Sequence, residues 1–412
     1  MRIAFLSTLS RTYASFMGRA FAVARSLIKA GHRVQILTLH HDWSGRTFDE
    51  LAYGQVPIRY VGPMHVRGLG DERRQLSRGE LLRAAALATV RLTHHALATS
   101  ADLYHVWKPH PFNGIAGVIA ARLRRRPLLL DCDDYEAMST RFTGDWQQGV
   151  VRWFEDTLPR LADGVTANTR FWTERLQNTL KISSDRVVYI PNGVEEERFG
   201  DPDVARGQKL RRELGLVNKK VVVYVGILSL AGHPLDLLLE SFTHVAEALP
   251  QAHLVLVGGG EDGVMLRQRV VEMGLAHRVT FTGVVPPEEV TAYYLLGDCS
   301  VDPVRDDVHA RARCPLKVLE SMACGVPVVT GEVGDRYEIL RAGKAGLLVQ
   351  PGNKAALAAG IQSLLSDPVR RMHIGQEARL QAQRYRWDLL TQELLSFYRQ
   401  IHGKAGTCRK GQ

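Results

Sequence analysis

Arg313-Cys314-Pro315-Leu316-Lys317-Val318-Leu319-Glu320-Ser321-Met322-Ala323-Cys324-Gly325-Val326-Pro327-Val328-Val329 is the stretch from which the rest of the chain can be read. Pro315 suits the first position of a short helix and Gly325 the position just past its end. A β-branched run, 326–330, follows at once. A helix start leaves free backbone N–H groups and the positive end of a dipole, so it can hold a phosphate. Lys317 would add a full charge in that first turn. Glu320 lies one turn further on, where a carboxylate can accept both hydroxyls of a ribose, each charge-assisted bond contributing about 1.5–3 kcal/mol. The plainer alternative is a capped helix whose Lys317 and Glu320 form an i,i+3 surface pair.

Outward from this helix, short β-branched runs alternate with helical segments through nearly all of the 412 residues. The runs fall at 2–6, 34–38, 57–61, 102–106, 127–131, 163–167 and 186–190, and again at 220–225, 253–257, 278–282, 298–302, 326–330 and 346–349. Such alternation predicts parallel sheets covered on both faces by helices. Two sets predict an α/β chain of two Rossmann-like doubly wound domains, facing each other across a cleft at the carboxyl ends of their strands. Pro191-Asn192-Gly193 is a turn signal after 186–190. The expected domains are therefore 1–195 and 196–385, followed over 386–412 by a last helix that crosses back to the first domain and a basic tail.

Composition narrows the class. Hydrophobic residues make up 45% and charged residues 23%, the balance of a globular protein. No apolar run reaches the roughly 18–20 residues of a membrane helix, and the N-terminus lacks the pattern of a signal peptide. Five cysteines, odd in number and without C-x-x-C spacing, argue against a disulfide framework or a zinc site and for a reducing cytoplasm. The net charge of +10 is uneven: residues 1–200 hold 27 Lys/Arg against 20 Asp/Glu. A basic half attracts anions, whether phosphate, lipid or nucleic acid, but no nucleic-acid recognition motif accompanies it, so no nucleic acid is expected as a partner.

Several pieces together resemble the GT-B glycosyltransferases of family 4. They are Tyr224-Val225-Gly226 with Leu237 to Phe242, Leu254 to Gly260, Val279 to Gly283, Leu319 to Val329, and, in the first half, Ala30 to Val34 and Ile190 to Val194. The resemblance spans essentially the whole chain in the expected order. It implies a retaining hexosyltransferase, with an acceptor-side N-terminal domain and a C-terminal domain that binds a nucleoside-diphosphate sugar, UDP- or GDP-linked, without an obligatory metal. Glu320 then stands where the family's second E-x7-E glutamate holds the ribose. The first falls at Ala312, and the family's diphosphate-gripping Arg and Lys fall near Ile227 and Gly232. The chain is similar instead to the subgroup whose helix opens Ser- or Cys-Pro-Leu-Lys, so Lys317, with Arg313 or Arg311 and the backbone at Pro315-Leu316, would serve the diphosphate. Gly226, Gly258, Gly259 and Gly283 would lie along the nucleotide, although a tight strand-to-helix turn also asks for glycine.

In the first half, Lys108 and His110 follow one strand and Asp131-Cys132-Asp133-Asp134-Tyr135-Glu136 ends another, so both loops should face the cleft. Asp133 and Asp134 stand near where many relatives place a histidine. A carboxylate there can orient the acceptor hydroxyl or support an oxocarbenium-like transition state, or simply cap a helix. Asp131 and Asp133 also spell D-x-D, the metal signature of a different transferase fold, and no metal is expected here. Arg11 and Ser15, in the loop where relatives carry a Gly-Gly pair, are further acceptor-side candidates. Segment 64–100 reads as an amphipathic helix with a basic face. The resemblance implies that such a face contacts anionic membrane, because acceptors range from glycans and small molecules to lipids, which would hold the protein at the inner face of the cell membrane. A sugar-nucleotide epimerase, a non-catalytic nucleotide-binding relative and a nicotinamide oxidoreductase remain as alternatives.

Overall fold

The computed structural model describes residues 1–12, 16–68, 74–138 and 145–408. The chain divides into two compact units, Met1–Asn192 with Trp387–Gln412, and Gly193–Arg386. In the first unit the strands are β1 (Arg2–Leu6), β2 (Arg33–His40), β3 (Phe48–Ala52), β4 (Val56–Pro63), β5 (Val66–Arg67), β6 (Arg74–Gln75), β7 (Leu103–Trp107), β8 (Leu128–Cys132), β9 (Gly164–Ala167) and β10 (Val187–Tyr189). The main sheet runs β10-β9-β8-β7-β1-β2-β4-β3, and β5 pairs separately with β6. Only β3 is antiparallel to its neighbour in the main sheet. The strand order reverses between β1 and β7, so a crevice opens at their carboxyl ends.

Right-handed crossovers put the connecting helices on opposite faces of this sheet. Helices Arg78–Ala98, Pro111–Arg124 and Asp145–Leu161 pack side by side on one face. On the other, Ala22–Lys29 packs against the last helix, Trp387–Cys408. Trp387, Leu394, Phe397, Tyr398 and Ile401 of that helix are buried in the first unit's core with Phe5, Phe21, Leu27 and Ile36.

The second unit holds β11 (Lys220–Val225), β12 (Ala252–Val257), β13 (Val279–Gly283), β14 (Cys299–Asp302), β15 (Val328–Gly331) and β16 (Leu347–Val349). All six are parallel in the order β13-β12-β11-β14-β15-β16, the doubly wound order of dinucleotide-binding sheets. The order reverses between β11 and β14. Val222, Leu254, Leu256, Val301 and Val329 bury one face against Leu238, Phe242, Ile361 and Leu364.

Every strand read from the sequence is present within two residues. β3 was not anticipated, because Phe48-Asp49-Glu50-Leu51-Ala52 is mostly exposed and acidic, as an edge strand can be. The single helix expected over 64–100 is a correction. Val66–Arg67 is strand, 69–73 lie outside the described residues, and the helix begins only at Arg78, where Ser77 and Glu80 form a capping box. Its outer face is not uniformly basic either, since Leu82, Leu87 and Val90 are exposed beside Arg78 and Arg83.

Candidate active site

In the second unit the polar groups gather where β11 and β14 end. The helix Leu316–Ala323 starts with Pro315 as its cap residue rather than its first turn. Pro315 has no N–H, so the free donors are those of Leu316 and Lys317. Lys317 and Glu320 do not pair with each other. The Lys317 ammonium lies 3.4 Å from Asp302 Oδ1 and 3.3 Å from His233 Nδ1, with its charge 5.2 Å from the centre of the Tyr224 ring. Burial lowers the ammonium's pKa against the pull of Asp302.

Asp302, the last residue of β14, is buried. It also accepts from Arg336 Nε at 3.0 Å and from Thr330 Oγ1 at 3.2 Å. Desolvation alone would raise its carboxyl, but Arg336, Lys317 and Arg313 together hold it at about 2. Arg313 Nη1 donates to the Gly232 carbonyl at 2.6 Å and lies 3.3 Å from His233 Nδ1, while its Nη2 meets His309 Nε2. Three cationic side chains thus surround one buried carboxylate beside a free helix start, a setting suited to a polyanion. Arg311 is turned away, exposed and bonded to Asp306.

The glycines have structural duties. Gly258 (φ +134°) donates to the Gly283 carbonyl at 3.0 Å, and a Cβ on it would stand 2.0 Å from the Gly226 carbonyl oxygen. A Cβ on Gly226 would meet Lys317 Cε at 3.1 Å. The bare backbone therefore lets β11, β12 and the lysine stem close up on one another. Gly259 accepts from the Leu228 N–H at 2.9 Å and ties the loop after β12 to the loop after β11. Glu320, half-buried, accepts from the Tyr294 hydroxyl at 3.1 Å. Burial raises its carboxyl, and nearby Arg198, itself paired with the buried Glu195, draws it down. Ala312, where an acid would complete the pair, is fully buried.

In the first unit, Lys108 sits at the end of β7 in a left-handed conformation (φ +68°). Its ammonium lies 3.3 Å from Asp133, 2.9 Å from Asp134 and 3.1 Å from Glu136. These carboxylates hold the lysine firmly charged despite its burial. Burial, partly offset by Lys108, pushes the Asp133 carboxyl up to about 7. The turn that carries these acids is fixed by buried Glu155, which accepts the N–H groups of Glu136 (2.7 Å) and Ala137 (3.1 Å). His110 is held by Thr8 Oγ1 at 3.0 Å, and burial drives its imidazole down to about 4.

Ser7, Thr8, Phe16, Trp107, Lys108 and Asp133 line a small cavity at the β1/β7 reversal. Asp131 does not share a site with Asp133, because it is taken by Arg19 (2.6 and 2.8 Å) and Thr166 (2.5 Å). Arg11 is exposed and paired with Glu50 at 2.6 Å, and Ser15 lies outside the described residues.

Sequence reasoning missed His233, Arg336, Tyr294 and Arg19. Asp302 carried a legible signal, since it ends a predicted strand beside the phosphate helix. His233 carried none.

Two families match the chain: glycosyl transferases group 1 over residues 207–381 and a glycosyl transferase 4-like domain over residues 19–193. A GDP-mannose-dependent alpha-(1-6)-phosphatidylinositol monomannoside mannosyltransferase of Mycolicibacterium smegmatis is 31% identical over 52% of this chain and 56% of its own length. A D-inositol 3-phosphate glycosyltransferase of Acidothermus cellulolyticus is 32% identical over 58% of this chain and 53% of its own. The chain thus aligns with about half the length of these two relatives. Among solved structures, sucrose-phosphate synthase from Thermosynechococcus elongatus superposes with a TM-score of 0.77 at 21% identity, covering 98% of this chain and 99% of its own. Anabaena HepE in complex with UDP and glucose gives 0.74 at 21%, over 96% and 98%. These likenesses show the fold, the two-domain GT-B architecture.

Proposed function

We propose, from the premise that the chain belongs to the GT-B glycosyltransferases of the group 1, 4-like type, that it moves a hexose from a nucleoside-diphosphate sugar to an acceptor hydroxyl with retention of configuration. The observation that carries this reading is the cluster of Lys317, Arg313 and Arg336 around Asp302 at the free start of helix Leu316–Ala323. In the reaction the bond from the anomeric carbon to the diphosphate breaks with its electron pair leaving on the diphosphate oxygen, and one to the acceptor oxygen forms. The acceptor hydroxyl's proton passes to that departing diphosphate, on which charge gathers in the transition state. The Leu316 and Lys317 N–H groups and the Lys317 ammonium neutralise it. Glu320 takes the ribose hydroxyls, and Gly226, Gly258, Gly259 and Gly283 give the nucleotide a backbone wall. No step calls for a metal.

On the acceptor side, Asp133 and Asp134 orient the attacking hydroxyl, and Lys108 and His110 shape the pocket around it. The donor is UDP- or GDP-linked. GDP-mannose use by the mycobacterial relative favours the second, and UDP in the Anabaena complex the first. The acceptor is a glycan, a lipid or a small polyol, the last two favoured by relatives named for phosphatidylinositol mannoside and inositol phosphate.

A lipid acceptor is found at the cytoplasmic face of a membrane, and the exposed apolar stripes of the first unit would meet it there. They run along Leu82 and Val90, then Ile115, Ile119 and Leu123, then Trp146, Val150 and Trp153, edged by Arg83, Arg122 and Arg125. Among the described residues no helix is long and apolar enough to cross a membrane.

Thermal unfolding with UDP, GDP, ADP and NAD, each with and without magnesium, tests the donor reading. A ligand at 100 times its dissociation constant stabilises by about 2.7 kcal/mol. The expected result is a shift with UDP or GDP alone, independent of magnesium and lost in Glu320→Ala. A shift with NAD only, or with none, refutes it.

A further inference from the structure

We propose that His233 is a positioning residue of the diphosphate end, one whose single ring lone pair holds Lys317 and Arg313 together. The inference rests on the reading of Lys317 as the diphosphate's cation. His233 Nδ1 lies 3.3 Å from Lys317 Nζ and 3.3 Å from Arg313 Nη1. Both of those groups are donors only, so Nδ1 accepts from both and the ring proton sits on Nε2. Like charges brought to one point repel, and an acceptor between them is what allows the approach.

The histidine is itself held on every side that bears on this geometry. Its N–H donates to the Ser229 carbonyl at 3.0 Å, and its own carbonyl accepts from Leu235 at 2.7 Å. Pro234 follows it, and Tyr224 meets its ring edge-on at 6.3 Å. The preceding carbonyl, Gly232, accepts the same Arg313 nitrogen at 2.6 Å. Residues 232–233 therefore form a bracket that fixes one arginine and turns one lysine.

The lysine has a competing place to go. Asp302 Oδ1 stands 3.4 Å from Nζ, buried behind it. With His233 in place the ammonium is shared between the carboxylate and the ring. Without that acceptor, attraction to Asp302 is unopposed and the charge retreats from the ligand. His233 thus acts on a diphosphate through Lys317 and Arg313 rather than by its own charge.

The test measures dissociation constants of UDP and GDP by calorimetry at pH 7.5 for the full chain and for Lys317→Ala, His233→Ala and His233→Asn. An Asn side chain places its amide oxygen near the position of Nδ1 and restores the acceptor without the ring. The expected result is weakening of about tenfold or more in Lys317→Ala and about tenfold in His233→Ala, with His233→Asn within about twofold of the parent. Unfolding midpoints without nucleotide are compared alongside, so a loss of fold is seen as such. If Lys317→Ala weakens binding and His233→Ala does not, the positioning role is overturned while the diphosphate reading stands. If His233→Asn is as weak as His233→Ala, the shared lone pair is not the cause and the proposal falls. If Lys317→Ala binds as tightly as the parent, the diphosphate reading itself fails.

Discussion

Asp302 is the residue on which the donor half is organised, since Lys317 and Arg336 both pair with it. Removing one partner of a buried ion cluster leaves uncompensated charge and costs about 3–5 kcal/mol. Asp302→Asn is therefore expected to lower the urea stability of the second unit by that order at pH 7. The folded carboxyl titrates at about 2, below its ordinary range, so its contribution is complete above that range and is lost as pH falls towards 2. The gap between parent and variant should narrow below pH 4, and a gap unchanged down to pH 3 refutes the assignment. Lys317 and Glu320 were legible because a helix start and a one-turn spacing are local signals. Their pairings were not: Asp302 could be placed at a strand end, but it and His233 lie 15 and 84 positions from Lys317 and meet it only through the strand reversal between β11 and β14.

At the scale of elements, the alternation of β-branched runs with helices was enough for thirteen parallel strands and for the two-sheet plan. It failed at the exposed strand β3, where burial does not dictate the pattern, and at the two-residue strands β5 and β6 ahead of the helix that Ser77 caps. The glycine turns gave only half their meaning in sequence, since the reason for Gly258 is a backbone contact with Gly226 across β11 and β12. Gly258→Ala combines a disfavoured φ with that clash and is expected to cost about 3 kcal/mol or more in urea unfolding. A change below about 1 kcal/mol counts against the contact. The helix Asp145–Leu161 shows what periodicity could have found: Trp146, Val150 and Trp153 are exposed at helical spacing. Aromatic side chains of this kind favour the lipid–water boundary. Trp146→Ser with Trp153→Ser is expected to weaken sedimentation with phosphatidylglycerol vesicles about tenfold relative to phosphatidylcholine controls. Equal binding by parent and variant removes that face from the proposal.

For the whole molecule, acid should act on the first unit through histidines that are buried uncharged. His105, between Tyr398 (2.6 Å) and Thr166 (3.4 Å), is driven by burial down to about 3. A base whose folded pKa lies below its unfolded one stabilises above the unfolded value and loses that stability as pH falls. From pH 7 to 5, His105 alone should remove about 2 kcal/mol. His105→Asn is expected to flatten that decline, and an identical slope in both proteins refutes it. The bond from His105 to Tyr398 also ties β7 to the last helix, whose Trp387, Phe397 and Ile401 complete the core of the first unit. The entire second unit, Gly193–Arg386, lies between that core and its final component in the order of the chain. On the ribosome, then, the half that begins emerging first is the half that finishes last. It must wait through 194 further residues for the helix that seals it, with part of its apolar face open to chaperones throughout.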